Sequence, residues 1–115
     1  MRRGEIHLVD LSPASGSEAD KRRPAIFVSN DGANAMATRL GRGVITVVPV
    51  TSNVERIYPF QVLLLAAETG LARDSKAQVE QIRSVAVERV GARLGLVPDA
   101  LMLELDEALR LHLGM

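Results

Sequence analysis

The chain of 115 residues contains no cysteine and no tryptophan, and aromatic residues make up only 3% of it. The lack of cysteine excludes disulfides, thiolate zinc sites and a cysteine nucleophile, and it favours the reducing cytoplasm as the compartment. The apolar runs at 44–50 and 62–67 are far shorter than the ~20 residues of a membrane-spanning helix, and no apolar signal-peptide core follows the first residues. Because 47% of the residues are hydrophobic, we expect one soluble domain over residues 1–115.

Several motifs of catalysis and binding are also missing. There is no Walker lysine motif, no GxGxxG after a strand and no GxSxG nucleophile elbow. The two histidines, His7 and His112, lie far apart in sequence and outside any metal-ligand spacing. We therefore expect structural roles for both histidines, and neither a metal site nor a cofactor. The stacking aromatics of an RNA-recognition motif are absent as well.

The charges cancel over the whole chain but not along it. Lys and Arg number 14, as do Asp and Glu. Because residues 99–115 hold four acids and one base, residues 1–98 keep 13 bases against 10 acids. Three of these bases, Lys21, Arg22 and Arg23, are consecutive. Such a cluster favours a polyanionic partner, although a solvated loop is the simpler alternative.

Alternating and β-branched apolar residues predict a protein that is mostly β with helices, of the α+β class. The strands are expected at 5–11, 23–29, 44–50, 60–67 and 76–85, and two polar loops at 12–22 and 51–59. A short helix is expected at 33–40, and an amphipathic helix after Pro98 buries Leu101, Leu105, Ala108, Leu109 and His112. Five short strands with attached helices describe a small, mostly antiparallel barrel.

Polar residues at the ends of these strands suggest phosphate chemistry. Arg23 stands where a predicted strand begins, and Thr51 follows the strand at 44–50. A guanidinium there can bind phosphate in a bidentate manner, and a neighbouring hydroxyl can donate to a nonbridging oxygen. In the second polar loop, Tyr58 offers a ring to a base or, equally well, caps the end of a barrel while Phe60 packs inward.

Six stretches together carry a resemblance to a known family. In chain order they are Arg3-Gly4-Glu5-Ile6, Asp10-Leu11-Ser12-Pro13, Gly16-Ser17-Glu18, Arg23-Pro24-Ala25, Val48-Pro49-Val50-Thr51 and Glu80-Gln81-Ile82-Arg83-Ser84. In these stretches the chain resembles the MazF/PemK family of toxin endoribonucleases. The resemblance implies a five-stranded SH3-like barrel with a C-terminal helix, working as a homodimer.

The same resemblance implies where the chemistry lies. Arg23 and Thr51 match the family's catalytic arginine and threonine, and Glu18 matches an acidic residue tied to activity in a loop that gates the site. Glu80 falls where some relatives place a general base, but those relatives carry an arginine two residues earlier, where this chain has Gln78. Like Glu80, Gln81 and Arg83 are expected to be catalytic or RNA-binding. Further residues expected at the RNA are Ser17, Lys21, Arg22, Ser52, Asn53 and Tyr58.

The implied reaction is metal-independent cleavage of single-stranded RNA at a short sequence. The ribose 2′-hydroxyl attacks its own phosphate and leaves a 2′,3′-cyclic phosphate and a 5′-hydroxyl, so DNA is not a substrate. Arg23 is expected to stabilise the phosphorane rather than to donate a proton, because the pKa of a guanidinium exceeds about 12. Glu18 or Glu80 takes the 2′ proton, unless each only pairs with Lys21 or Arg83.

A toxic nuclease also needs an inhibitor. The resemblance implies a cognate antitoxin whose partly disordered, acidic tail covers the basic RNA groove. Two other functions stay open: a non-enzymatic toxin like the gyrase-poisoning relatives of this fold, and an adaptor that binds only protein. The gyrase poisons act through a C-terminal tryptophan region, whereas this chain has no Trp and ends Leu113-Gly114-Met115.

Overall fold

The computed structural model describes residues 1–12 and 21–115 and contains one antiparallel sheet of seven strands. The strands are β1 (Glu5–Asp10), β2 (Arg22–Phe27), β3 (Val44–Thr51), β4 (Gln61–Leu64), β5 (Ser75–Gln78), β6 (Arg83–Ala86) and β7 (Val90–Leu96). Their order is β4-β5-β3-β2-β1-β7, with β6 also paired to β3. The predicted α+β class is confirmed. Within the described ranges, however, the sheet is an open path from β4 to β7 rather than a closed barrel.

Three helices complete the described residues: α1 (Asp31–Leu40), α2 (Ala66–Thr69) and α3 (Asp99–Leu113). The Asn30 side chain accepts a hydrogen bond from the Ala33 N–H at 2.8 Å and thereby caps the first turn of α1. Gly41 ends the same helix in the left-handed conformation, with φ 65°. Both helices predicted from the sequence are therefore present. None of the helices in the described ranges is long and apolar enough to cross a bilayer.

The prediction of five strands was wrong in number, and the strand predicted at 76–85 shows one reason. A 3₁₀ turn at Val79–Gln81 divides it into β5 and β6. Both short strands pair with β3, β6 along Val44–Val47 and β5 at Val50 and Thr51. The turn takes Glu80 and Gln81 out of the sheet. The two short strands on either side of the turn pair with opposite ends of β3.

The sequence analysis also missed β7 and overextended β4. The strand β7 contains two glycines, and a Cβ at Gly95 would overlap the backbone oxygen of Thr69 in α2. That close approach between segments distant in sequence explains a glycine that otherwise weakens a strand. The strand predicted at 60–67 ends at Leu64 because the chain turns into α2, whose Ala66 N–H donates to Asp74 Oδ1 at 2.8 Å.

The apolar core lies on both faces of the sheet. On one face Ile6, Ile26 and Val48 pack with Leu101, Leu105 and Ala108 of α3. On the other face the neighbouring residues of the same strands, Val9, Ala25, Phe27 and Val47, pack with Ala37 of α1. Strands buried on both faces are expected to be almost continuously apolar, as the run at 44–50 is apart from Thr46. The predicted inner face of α3 is confirmed except for His112, which is exposed.

The Arg3-Gly4-Glu5-Ile6 stretch near the N terminus has a structural explanation. Arg3 Nε donates to the Val28 carbonyl at 2.8 Å, and Arg3 Nη2 binds Asp106 Oδ1 of α3 at 2.7 Å. Gly4 adopts φ 95°, which favours glycine. These contacts fix the start of β1 against α3.

His7 lies buried in β1, where it makes structural contacts. Its ring stacks on Phe27 with a centroid separation of 4.6 Å, and its nitrogens hydrogen-bond the Gly91 carbonyl and Glu5 Oε1. Burial alone would raise the pKa of Glu5. The hydrogen bond with His7 and the positive charges of the N terminus, Arg93 and His7 outweigh burial, so the pKa of Glu5 lies below its ordinary value of 4.5.

Candidate active site

A cavity of about 560 Å³ opens where β2 begins and β3 ends. These two ends meet because the strands are antiparallel neighbours. The residues that line the cavity are Lys21, Arg22, Arg23, Pro24, Val50, Thr51, Ser52, Gly70, Leu71, Ala72, Arg73, Ser75 and Leu94. Five residues that the sequence analysis placed at the RNA are among them: Lys21, Arg22, Arg23, Thr51 and Ser52.

The register of the sheet brings Arg23 and Thr51 together. Strands β2 and β3 pair Ala25 with Pro49, and the same register extended by two residues places Arg23 opposite Thr51. Side chains directly opposite in an antiparallel pair lie on the same face. Both residues are half-buried, so they keep one side open to the cavity. Two residues 28 positions apart in sequence thus share one surface.

The described lining of this cavity is cationic. Lys21, Arg22, Arg23 and Arg73 contribute four positive charges, and no described lining residue is a carboxylate. Hydroxyl groups stand beside these charges, and the one on Thr51 is oriented by its neighbours. Its Oγ1 accepts a hydrogen bond from the Asn53 N–H at 3.3 Å, which directs the hydroxyl proton elsewhere. The arrangement suits an anionic group with several acceptor oxygens, such as a phosphodiester.

Several predicted site residues lie outside the lining. Asn53 turns its Oδ1 to the Glu55 N–H at 3.2 Å and so shapes the loop after β3. Gln81 lies in the 3₁₀ turn at Val79–Gln81. Arg83 begins β6, and its Nη1 donates to the Leu11 carbonyl at 3.4 Å. Ser17 and Glu18 fall outside the described residues.

Tyr58 belongs to a group that we call the aromatic–cationic cluster, formed by Arg56, Tyr58, Phe60 and Lys76. The Tyr58 ring is 42% exposed and stacks on Phe60, with centroids 5.4 Å apart and planes inclined by 2°. Arg56 Cζ lies 5.3 Å and Lys76 Nζ 6.0 Å from the Tyr58 centroid. Lys76 Nζ also donates to the Arg56 carbonyl at 2.6 Å. The half-buried Phe60 ring stacks against one face of the exposed Tyr58 ring and thereby holds it in place.

Glu80 is connected to this cluster through Gln61. The Tyr58 N–H donates to Gln61 Oε1 at 3.1 Å, and Gln61 Nε2 donates to Glu80 Oε2 at 2.9 Å. Gln61 is itself buried, and Glu80 Oε1 is buried without a hydrogen-bond partner among the described residues. The Glu80 carboxylate is therefore engaged with the loop and is not part of the cavity lining.

Four residues of the two sites were missed by the sequence analysis: Arg56, Gln61, Arg73 and Lys76. Lys76 pairs with Thr51 across β3 and β5, and this proximity is apparent only from the register of the sheet. Arg73 was visible only as one charge in a glycine-containing connection. No group of three or more His, Asp or Glu residues arranged to hold a metal occurs in residues 1–12 and 21–115.

Known proteins with similar sequences and structures fit this geometry. The model of the family described as PemK-like, MazF-like toxin of type II toxin-antitoxin system matches residues 2–113. The chain is 66% identical to endoribonuclease MazF9 of Mycobacterium tuberculosis, over 100% of this chain and 98% of that protein. The crystal structure of MazF from Deinococcus radiodurans superposes with a TM-score of 0.81 at 27% identity, over 100% and 97% of the two chains. An endoribonuclease in complex with its cognate antitoxin from Mycobacterial species shares the fold, with a TM-score of 0.77 at 22% identity over 100% and 96%.

Proposed function

This chain belongs to the PemK-like, MazF-like toxin family, and we propose that it cleaves single-stranded RNA at the phosphate held between Arg23 and Thr51. The observation that carries the proposal is their meeting at one cationic cavity. Endoribonuclease activity as such is supported by the 66% identity to an endoribonuclease over the full chain.

The proposed reaction is an internal transesterification. The 2′ oxygen forms a bond to phosphorus, the bond from phosphorus to the 5′ oxygen breaks, and the 5′ oxygen takes up a proton. Arg23 stabilises the charge that develops on the nonbridging oxygens, where a preorganised cation has its largest effect. The Thr51 hydroxyl donates to one of the same oxygens, since the Asn53 N–H already occupies an acceptor position on its Oγ1.

A base must accept the 2′ proton, and of the two predicted carboxylates we assign this role to Glu18. Glu80 is bound to Gln61 and does not line the cavity. Glu18 precedes Lys21 by three residues in the sequence. Lys21 lines the cavity. We therefore place Glu80 with the residues that position the loop, and Glu18 with the reacting groups.

The path of the RNA outside the cavity is proposed to follow the basic and aromatic residues nearby. Lys21, Arg22 and Ser52 contact the backbone from the cavity wall. The exposed ring of Tyr58 stacks on one base. Stacking of a base on an aromatic ring tolerates any sequence and contributes about 1–3 kcal/mol to binding. Gln81, in the 3₁₀ turn, and Arg83, at the start of β6, remain candidate RNA contacts.

The partners are proposed on the same basis. Membership of a type II toxin–antitoxin family supports a cognate antitoxin, and one structural neighbour is a complex with its antitoxin. An acidic, partly disordered antitoxin tail would compete with RNA for the cationic cavity. We further propose that the toxin acts as a homodimer of this single domain and resides in the cytoplasm.

The proposal is tested by incubating the purified protein with a long single-stranded RNA in EDTA. We expect cleavage at a short sequence, 2′,3′-cyclic phosphate and 5′-hydroxyl ends, and no cleavage of DNA of the same sequence. Replacing the single ribose at a mapped cut site with 2′-deoxyribose should abolish that cut alone. Cleavage that stops on chelation, or that survives the 2′-deoxy replacement, contradicts the mechanism. Binding without any cleavage favours an adaptor or a non-enzymatic toxin.

A further inference from the structure

The wall of the cavity that faces Arg23 and Thr51 is built by the connection from α2 to β5. Gly70, Leu71, Ala72 and Arg73 line the cavity from this side. Two hydrogen bonds fix the connection: Asp74 Oδ1 accepts the Ala66 N–H at 2.8 Å, and Ser75 Oγ donates to the Arg73 carbonyl at 2.9 Å. The Arg73 carbonyl and the residue that follows it are therefore both held in place.

Arg73 is the one cation that the described lining receives from this wall, because Lys21, Arg22 and Arg23 all come from the start of β2. Its side chain is exposed and makes no hydrogen bond or ion pair with any described residue. Asp74 does not neutralise it, since that carboxylate is turned to the Ala66 N–H. A cation left unpaired beside three others raises the local positive potential, which an anionic ligand relieves.

The size of the cavity exceeds that of one phosphate group. Its volume of about 560 Å³ falls within the range of pockets that enclose a drug-sized ligand. Apolar side chains such as Leu71 and Leu94 line the cavity together with the cationic groups of its two walls. One nucleotide, with a phosphate at each end and an uncharged sugar and base between them, offers groups for both kinds of lining.

We propose that Arg73 is a second phosphate-binding residue, which holds the phosphate next to the one bound by Arg23. This inference rests on the proposed function and deepens it, because it fixes how many backbone charges the cavity recognises. Arg73 contributes to substrate binding across all sequences, since a phosphate contact carries no base information.

The test compares Arg73→Ala with Arg39→Ala, which removes the same charge from the exposed last turn of α1 outside the cavity. The probe is a mixed-sequence 12-nucleotide RNA methylated at every 2′ oxygen, which binds but lacks the attacking hydroxyl. Its affinity is measured between 50 and 200 mM KCl. Loss of one phosphate contact on a single strand should make the slope of log K against log salt shallower by about 0.7, so the deficit of the variant shrinks by about 2.6-fold over this range.

The outcomes distinguish a failure of the Arg73 contact from a failure of the proposed nuclease function. We expect the shallower slope for Arg73→Ala, the wild-type slope for Arg39→Ala, and the wild-type slope for Arg73→Lys because it keeps the charge. Equal slopes for Arg73→Ala and Arg39→Ala, or a shallow slope for Arg73→Lys, overturn the Arg73 contact while cleavage by the wild type still supports the nuclease. Failure of the wild type to cleave unmodified RNA overturns the proposed function itself.

Discussion

The cationic cavity and the Tyr58–Gln61–Glu80 network use their polar groups in opposite ways. In the network, the Gln61 amide accepts from the Tyr58 N–H and donates to the Glu80 carboxylate, so both ends of this amide are bound within the protein. In the cavity, four cationic residues share a lining without a described carboxylate. Groups that satisfy one another hold a shape, whereas a cluster of like charges attracts a ligand of opposite charge.

This contrast separates two kinds of residue that the sequence motifs do not distinguish. Arg23 and Glu80 both belong to stretches on which the family resemblance depends. Only Arg23 lines the cavity, and Glu80 instead supports the loop that carries Tyr58. A family motif therefore contains residues that react and residues that hold the reacting surface in place.

The largest expected effect distinguishes the two carboxylates. Glu18→Gln should lower the single-turnover cleavage rate by about 10²–10⁴-fold, the usual contribution of a general base. Glu80→Gln should lower it by less than about tenfold, because its carboxylate binds Gln61 rather than the substrate. The rates are measured on one mapped cut site at saturating protein. The reverse ranking of the two variants would assign the base to the network instead.

Removal of the guanidinium from the cavity should have the next largest effect. Arg23→Ala is expected to reduce the cleavage rate by about 10²–10³-fold, as does the loss of one preorganised transition-state donor. Arg39→Ala serves as the control of equal charge, and circular dichroism checks that both variants fold. Near wild-type cleavage by Arg23→Ala would mean that another cation stabilises the phosphorane.

Tyr58→Ala should weaken RNA binding and leave the chemical step nearly intact. A lost base stack corresponds to about 1–3 kcal/mol, which is a rise in Kd of roughly 5- to 150-fold, with the rate at saturation unchanged. Tyr58→Phe keeps the ring and its stack on Phe60, so it should bind like the wild type. An equal loss of affinity in Tyr58→Phe would show that the phenol oxygen, not the ring, contacts RNA.

The smallest effect concerns stability, at a residue that lines neither site. The lowered pKa of Glu5 means that its ionised form stabilises the folded state above the ordinary value of 4.5, and this contribution is lost as the pH falls through the lower, folded-state value. Glu5→Gln should therefore be less stable than the wild type at pH 7, and the difference should shrink below pH 4.5. Urea unfolding at several pH values measures it, with Glu104→Gln on the exposed side of α3 as control. A difference independent of pH would assign the effect to packing.

The parts of the fold that sequence predicts well are those with a strong local pattern. The run at 44–50 is apolar on both faces of a buried strand, and Asn30 and Gly41 mark the two ends of α1. The placement of Arg23 opposite Thr51 follows when the register of the antiparallel strands β2 and β3 is extended by two residues. These features depend on residues close in sequence or on one strand pairing.

The features that escaped prediction depend on contacts between distant segments. Gly95 is explained only by the backbone of Thr69 beside it, and the break at Val79–Gln81 only by the two partners of β3. The role of Gln61 requires Tyr58 and Glu80 to be near each other in space. No local sequence pattern encodes contacts between distant segments. The network was therefore not predicted, whereas the strand that ends at Thr51 was.

The most direct test of the central claim is a double-mutant cycle between Arg23→Lys and Thr51→Val, measured as single-turnover cleavage of one RNA site in EDTA. If the guanidinium and the hydroxyl act on one phosphate, their effects should deviate from additivity by about 0.5–3 kcal/mol. If the two effects add to within about 0.3–0.5 kcal/mol, the residues act independently and the shared phosphate is contradicted.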